Sequence, residues 1–192
     1  SNSAAIIDMP QLNYNMVRAG IMLYGLYPSK EVNKENVRLK EAMSLKARIS
    51  HVKSLKPGRG ISYGHKFTTD KETTVATLPL GYADGFTRLL SMKTNCLVNG
   101  KRVPLIGRIC MDQSMIDVTE HEVSRGDVVT LFGYDKNGNQ ISIDEIADCI
   151  DTINYEVVCM ISKRVPRVYI KNGEIVNIKD ILDLIKQSYK LP

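Results

Sequence analysis

A mainly β fold is what this sequence predicts, and three observations predict it. From residue 45 the apolar positions Leu45, Ala47 and Ile49 alternate with Lys46, Arg48 and Ser50, the period of two expected of a half-buried strand. Further strand-like runs follow at short spacing, over 73–80, 94–98, 101–109, 115–118, 127–134 and 165–170. Asn-Gly dipeptides at 99–100, 137–138 and 172–173 punctuate them. Both central residues of a type I′ turn need positive φ, which Asn and Gly tolerate best, so each pair marks a hairpin.

Helical signals are few. Ser142-Ile143-Asp144-Glu145 has the capping-box pattern, with Ser142 placed to accept from the amide three residues on, and predicts a helix to about Ile150. Ile181, Leu182, Leu184 and Ile185 fall at helical spacing in a second segment, Lys179 to Tyr189. The beginning of the chain has another character. Met16 to Gly25 is an almost unbroken apolar run, which predicts a strand buried on both faces, as in a parallel sheet. Arg18 interrupts it, and either reaches solvent at the strand end or is a positioned cation with a partner. A lone parallel strand cannot satisfy its backbone groups, so residues 1–27 are expected to be the tail of a larger α/β domain. The polar stretch 28–40 reads as a linker, and 41–192 as the β domain.

Composition narrows the function classes. Hydrophobic content of 43% and charged content of 24% over 192 residues suit a soluble globular protein with a good core. The net charge of +5 is spread along the chain, and aromatics make up only 6%, unlike the concentrated basic patch of a nucleic-acid surface. No apolar run is long enough for a membrane span, and no secretory leader pattern is visible. Cys96, Cys110, Cys149 and Cys159 show no C-x-x-C spacing and form no ligand pattern with His51, His65 and His121. No metal site is expected, and reduced, mostly buried thiols in a cytoplasm are.

The stretch most suggestive of chemistry is Gly58-Arg59-Gly60-Ile61-Ser62-Tyr63-Gly64-His65. It follows a Pro-Gly turn and surrounds one tyrosine with glycines, which free the backbone for bends and close approach. Alone, such a tyrosine is an ordinary turn residue. Three other stretches combine polar and apolar side chains in the same way: Leu80-Gly81-Tyr82-Ala83-Asp84-Gly85-Phe86-Thr87-Arg88, Gly107-Arg108-Ile109-Cys110-Met111-Asp112-Gln113 and Ile153-Asn154-Tyr155-Glu156-Val157. No Ser/His/Asp set, phosphate-cradling loop or paired carboxylates compete with them.

Together with Arg18-Ala19-Gly20-Ile21…Tyr24-Gly25, and in this order, these stretches closely resemble the C-terminal part of alanine racemase, a pyridoxal-phosphate-dependent family of fold type III. The resemblance runs from Asn2 to about residue 177 and covers only the second half of the family's protein. It implies a β-rich, barrel-like domain with short helices, preceded by the last strand segment of a truncated (β/α)8 barrel at residues 1–27. By the same resemblance Tyr63 is the catalytic base on one face of L-alanine. Ser3, Gly20, Ile21 and Tyr155 hold the cofactor phosphate, and Arg18 faces the pyridine nitrogen. Met111 and Tyr82 bind substrate, while Arg88, Arg108 and Ile153, with Tyr82, line the entrance. A head-to-tail homodimer is implied, the tyrosine of one subunit completing the other's site. So are a cytoplasmic location and a role in supplying D-alanine to peptidoglycan.

The residue types suit that chemistry. The Cα proton of an amino acid is too weakly acidic for a side-chain base at neutral pH, so pyridoxal phosphate would carry the difficult part. A phenol ionises in water only near pH ~10, so a tyrosine base needs nearby positive charge or donors. An arginine opposite the pyridine nitrogen can only donate, which leaves that nitrogen unprotonated. Two readings compete: a racemase of the same fold acting on serine or another amino acid, and a non-catalytic β interaction module. The resemblance puts the Schiff-base lysine in the barrel half, at no position of this sequence. The 192-residue chain alone is therefore expected not to racemise alanine; measurable interconversion by the purified chain, with pyridoxal phosphate added, would contradict this.

Overall fold

Leu45 and Ile49 are buried while Lys46 and Arg48 face solvent, so the alternation read from the sequence becomes a strand with one face on the core. The structure, a computed structural model, describes residues 1–181. Its strands are β1 (Leu45–Arg48), β2 (His51–Leu55), β3 (Gly60–Ile61), β4 (Phe67–Thr68), β5 (Thr73–Leu78), β6 (Asn95–Val98), β7 (Lys101–Ile106), β8 (Ser114–Asp117), β9 (Val128–Tyr134), β10 (Gln140–Ile141), β11 (Arg167–Lys171) and β12 (Glu174–Lys179). Its α-helices are α1 (Ser3–Asp8), α2 (Ile143–Cys149) and α3 (Asn154–Met160).

Eight strands form one antiparallel sheet in the order β1-β9-β6-β7-β8-β5-β2, with β10 alongside β9, and it curls into a half-barrel. One buried cluster joins Leu45, Ile49, Leu78, Leu97, Leu105, Ile116, Leu131 and Phe132 of the sheet region with Ile143 and Ile146 of α2 and Val157 and Val158 of α3. β9 pairs with β1, β6 and β10, and its residues are buried from Val129 to Gly133. The strand with the most partners is thus buried along all but its two ends. The mainly β fold stands.

Two of the Asn-Gly hairpins are built as expected. Asn99 and Gly100 (φ 48° and 79°) join β6 to β7, and Asn172 and Gly173 (φ 53° and 82°) join β11 to β12. The third is wider: Tyr134 pairs with Gln140, and the Asp135 carboxylate accepts from the amides of Asn137 and Asn139 across the loop. The predicted run 101–109 ends early because Gly107, at φ 69°, turns the chain out of the ladder after Ile106. Ser142 caps α2 as expected, its hydroxyl accepting from the Glu145 amide at 3.0 Å.

Other expectations are corrected. No strand forms at Met16–Gly25: residues 16–20 are irregular, and Ile21–Tyr24 is a 3₁₀ turn ended by Gly25 at φ 75°. An apolar run becomes a strand only beside another strand, and among the described residues none pairs with it. Its backbone bonds are instead those of turns and loops: Arg18 N to Ser1 O at 2.7 Å, Leu23 N to Gly20 O at 3.0 Å, Gly25 N to Met22 O at 3.0 Å and Ala42 N to Tyr24 O at 2.9 Å. Arg18 is exposed, so its interruption of the apolar run costs no burial. β2 went unseen because His51, Lys53 and Ser54 are polar; it is an edge strand paired with β5 alone. α3 carries no cap side chain and also left no signal. Residues 174–179 are the second strand of an exposed ribbon, and the remainder of the expected Lys179–Tyr189 helix, from 182 on, lies outside the described residues.

The thiols are less uniformly buried than expected. Cys96 is sealed in the core, Cys110 and Cys149 are half-buried, and Cys159 is exposed. Burial disfavours the thiolate of Cys96 and pushes its pKa up to about 12; burial also raises that of Cys149. Below that value Cys96 keeps its proton, so at pH 8 native protein should leave it unalkylated while Cys159 reacts first. Mass mapping after an iodoacetamide time course checks this, and early loss of Cys96 would contradict the packing.

Candidate functional site

Tyr63 is displayed by a loop with fixed ends. Ile61 is buried against Val75 and Ile106, and the short β3–β4 ladder pairs Ile61 with Phe67, so residues 62–66 bulge from an anchored base. Tyr63 itself is 74% exposed. The residue before it is bent sharply: Ser62 has φ 62° and ψ −175°. That region is nearly reserved for glycine and costs other residues about 1–3 kcal/mol. Contacts hold it there. The Ser62 hydroxyl donates to the Arg108 carbonyl at 2.6 Å and lies 3.3 Å from the Cys110 sulfur. Gly107 lets the segments approach, since a Cβ there would stand 3.1 Å from the Ile61 carbonyl oxygen and the Ser62 Cβ. The Arg108 guanidinium lies over the next residue, 3.0 Å from where a Cβ of Gly64 would be.

The loop 81–85 is locked to the loop 107–113 by its backbone. Tyr82 N donates to Cys110 O, and Ala83 N to Met111 O, both at 3.0 Å. The approach requires Gly81, where a Cβ would fall 2.2 Å from Cys110 O and 2.4 Å from Met111 O. Asp84, buried at 8% exposure, accepts from Gly81 N at 2.8 Å and from Arg164 Nε at 2.7 Å. Arg164 also donates to Asp112 through Nη2. The Asp84 carboxylate, with Asp112 second, holds the guanidinium pKa above its ordinary value. One arginine thus joins the chain after α3 to both loops.

These locks bring Tyr63, Tyr82, Arg88 and Met111 around one open groove with Cys110 and Asp112. Arg108 borders it from the Gly64 side. The other expected site residues lie elsewhere. Ser3, 4% exposed, accepts from Gly20 N through its hydroxyl at 3.0 Å. Gly20 leaves open the space a Cβ would fill 3.7 Å from that oxygen. Ile21 and Tyr155 belong to the same apolar cluster, and exposed Ile153 starts α3 beside Tyr155. A buried hydroxyl beside an open glycine backbone fits a phosphate, which needs donors and close approach. None of Ser3, Arg18, Gly20, Ile21, Ile153 or Tyr155 lines the Tyr63 groove. Among the described residues no cluster of His, Cys, Asp and Glu could hold a metal ion.

Sequence reasoning missed Arg164 and Ser62. Asp84 and Asp112 stand inside stretches already singled out, but Arg164 follows an ordinary Ser-Lys and acquires meaning only when two distant carboxylates meet it.

The chain matches known proteins along most of its length. The family model described as "Alanine racemase, C-terminal domain" matches residues 42–169, and the one described as "Alanine racemase, N-terminal domain" matches residues 1–28. The alanine racemase of Clostridium novyi is 53% identical over 184 residues, 95% of this chain and 47% of that protein. That of Methanococcus maripaludis is 58% identical over 171 residues, 88% of this chain and 45% of that protein. Among solved structures, the Clostridium difficile alanine racemase in complex with cycloserine superposes with a TM-score of 0.89 at 50% identity, covering 95% of this chain and 48% of that one. The Bacillus anthracis enzyme with bound L-Ala-P gives 0.90 at 43%, covering 95% and 47%. The chain spans about half the length of the curated relatives it matches.

The lock around Asp84 has a stability consequence. Removing Arg164 leaves a buried carboxylate short of a partner, whereas Asp112 has solvent as an alternative. Arg164→Met is expected to lower the urea midpoint of the chain clearly, Asp112→Asn only slightly. Equal effects of the two in equilibrium denaturation would contradict the asymmetry.

Proposed function

The chain belongs to the alanine racemase family, and we propose that it is the β-domain half of a pyridoxal-phosphate-dependent racemase interconverting L- and D-alanine. The observation that supports this most is the groove itself: an exposed tyrosine on a braced loop, facing Met111, Tyr82 and Arg88. Relatives have been solved in complex with cycloserine and with bound L-Ala-P, and an amino acid is what the groove of this chain would take.

Pyridoxal phosphate, when bound, supplies the electron withdrawal that makes the Cα proton of the substrate removable. Ser3 and the backbone of Gly20 and Ile21 would hold its phosphate, with Tyr155 beside them, and Arg18 would donate to its pyridine nitrogen. The work of this chain's tyrosine is narrower. The Tyr63 phenol oxygen takes the proton from Cα on the face presented by L-alanine, and returns one to that face in the reverse direction. The Arg108 guanidinium lies over Gly64, against the same loop. Met111 and Tyr82 define the substrate's side of the groove, and Arg88 and Arg108 attract its carboxylate toward the entrance.

The division of the site into two groups supports a head-to-tail homodimer. In it, the Tyr63 groove of one subunit faces the Ser3–Gly20 region of the other, and Ile153 and Arg88 approach the entrance from opposite subunits. No helix among the described residues is long and apolar enough to cross a membrane. The racemase reading carries with it a cytoplasmic location and the supply of D-alanine for peptidoglycan.

The test uses a protein in which this chain follows a complete family N-terminal domain, loaded with pyridoxal phosphate. L- and D-alanine should interconvert, and alanine should outpace serine. Tyr63→Phe should abolish washout of α-deuterium from L-alanine into solvent and leave washout from D-alanine in place, because the opposite face keeps its own base. Equal loss from both enantiomers would overturn the one-face assignment.

A further inference from the structure

Ser62 has no role among the site residues considered so far, and its geometry is unusual. It is a non-glycine residue at φ 62° and ψ −175°, directly before the exposed tyrosine. On its N-terminal side Ile61 is fixed in an apolar cluster and in the β3–β4 ladder. On its C-terminal side Tyr63 has little packing of its own, at 74% exposure. The direction of the tyrosine therefore depends on the backbone bend at residue 62. The bend is disfavoured for any residue with a Cβ, so something must hold it. The Ser62 hydroxyl does so by donating to Arg108 O at 2.6 Å, beside the Cys110 sulfur at 3.3 Å. The segment it grips also carries Met111 and is itself locked through Cys110 O and Met111 O to the loop of Tyr82.

We propose that Ser62 is a positioning residue for Tyr63: its hydroxyl clamps a strained backbone so that the phenol is aimed into the groove in register with Met111. The proposal rests on the reading of Tyr63 as a one-face base. Its chemical sense is that proton transfer from carbon demands close alignment, and a displacement of about 1 Å can cost ~10²-fold in rate. Glycine at this position would be the relaxed choice for the backbone. A serine there trades backbone comfort for a side chain able to hold the loop.

Two substitutions separate positioning from simple structural support. Ser62→Ala keeps the Cβ strain and loses the clamp. Ser62→Gly loses the clamp and relieves the strain. In the 192-residue chain, urea midpoints should rank Ser62→Gly above Ser62→Ala. In the protein with both family domains, both variants should lose α-deuterium washout from L-alanine by roughly 10–100-fold, with KM changed by less than about threefold. Washout from D-alanine should be nearly unchanged. The decisive case is Ser62→Gly, as stable as the parent or nearly so yet impaired on one enantiomer. Wild-type washout from L-alanine in both variants would overturn the proposal. So would equal losses from both enantiomers that track the fall in stability. Tyr63→Phe, run in parallel, keeps the two ideas apart. If it shows the one-enantiomer loss and Ser62→Gly does not, the base assignment stands and the clamp is refuted. If it does not, the base assignment falls and the clamp falls with it.

Discussion

Two loops that end different strands run so close together that the carbonyl oxygens of Cys110 and Met111 occupy the space where residue 81 would carry a Cβ. Everything at the groove depends on that approach. It permits the two backbone bonds that fix Tyr82 beside Met111, and it sets Asp84 beneath the junction, where the carboxylate ties Gly81 N to Arg164. A buried carboxylate with two donors is costly to disturb, because either donor's loss leaves charge unsatisfied at low dielectric. The lock is therefore both geometric and electrostatic, and Arg164 extends it to the chain leaving α3.

Against this rigid floor the tyrosine loop is held differently. Its base is apolar and fixed, its crest is polar and exposed, and the bend between them is a conformation that the backbone alone would leave. Strain of this kind persists only where neighbouring contacts impose it. Here the neighbours are the Arg108 carbonyl and the close-packed Gly107, both on the segment that the first lock immobilises. The two devices are in series: the Gly81 approach fixes the 107–113 segment, and that segment holds Ser62. An exposed side chain with few contacts of its own can in this way be placed without being buried, which is what the base role proposed for Tyr63 requires.

How far each part could be read from the sequence follows from the range of the forces involved. The alternation at 45–50, the turns at Asn99-Gly100 and Asn172-Gly173, and the Ser142 cap are local, set by steric limits and hydrogen bonds within a few residues, and all are found. The strand expected at Met16–Gly25 failed because apolarity states only that a segment is shielded, whereas a strand needs a neighbour's hydrogen-bond ladder. β2 escaped notice for the opposite reason: an edge strand with polar side chains is made by its partner β5 and by no pattern of its own. In the site, Tyr63, Tyr82, Arg88 and Met111 stood in recognisable stretches, but nothing in their spacing says that they share a groove and that Ser3, Gly20 and Tyr155 lie outside it.

By itself, the sequence determined the chemistry on offer: a β-rich frame, a tyrosine among glycines, arginines able only to donate, and the resemblance those stretches carry. Tertiary structure decided which of these residues meet. Arg164 acquires its role because two carboxylates far apart in the chain converge on it, and Ser62 acquires its own because a distant carbonyl accepts its hydrogen bond. Contacts of that kind depend on close packing between segments brought together only by the folded sheet. Local pattern cannot encode them, since each partner's residue type taken alone is ordinary and its contact lies far away in the chain.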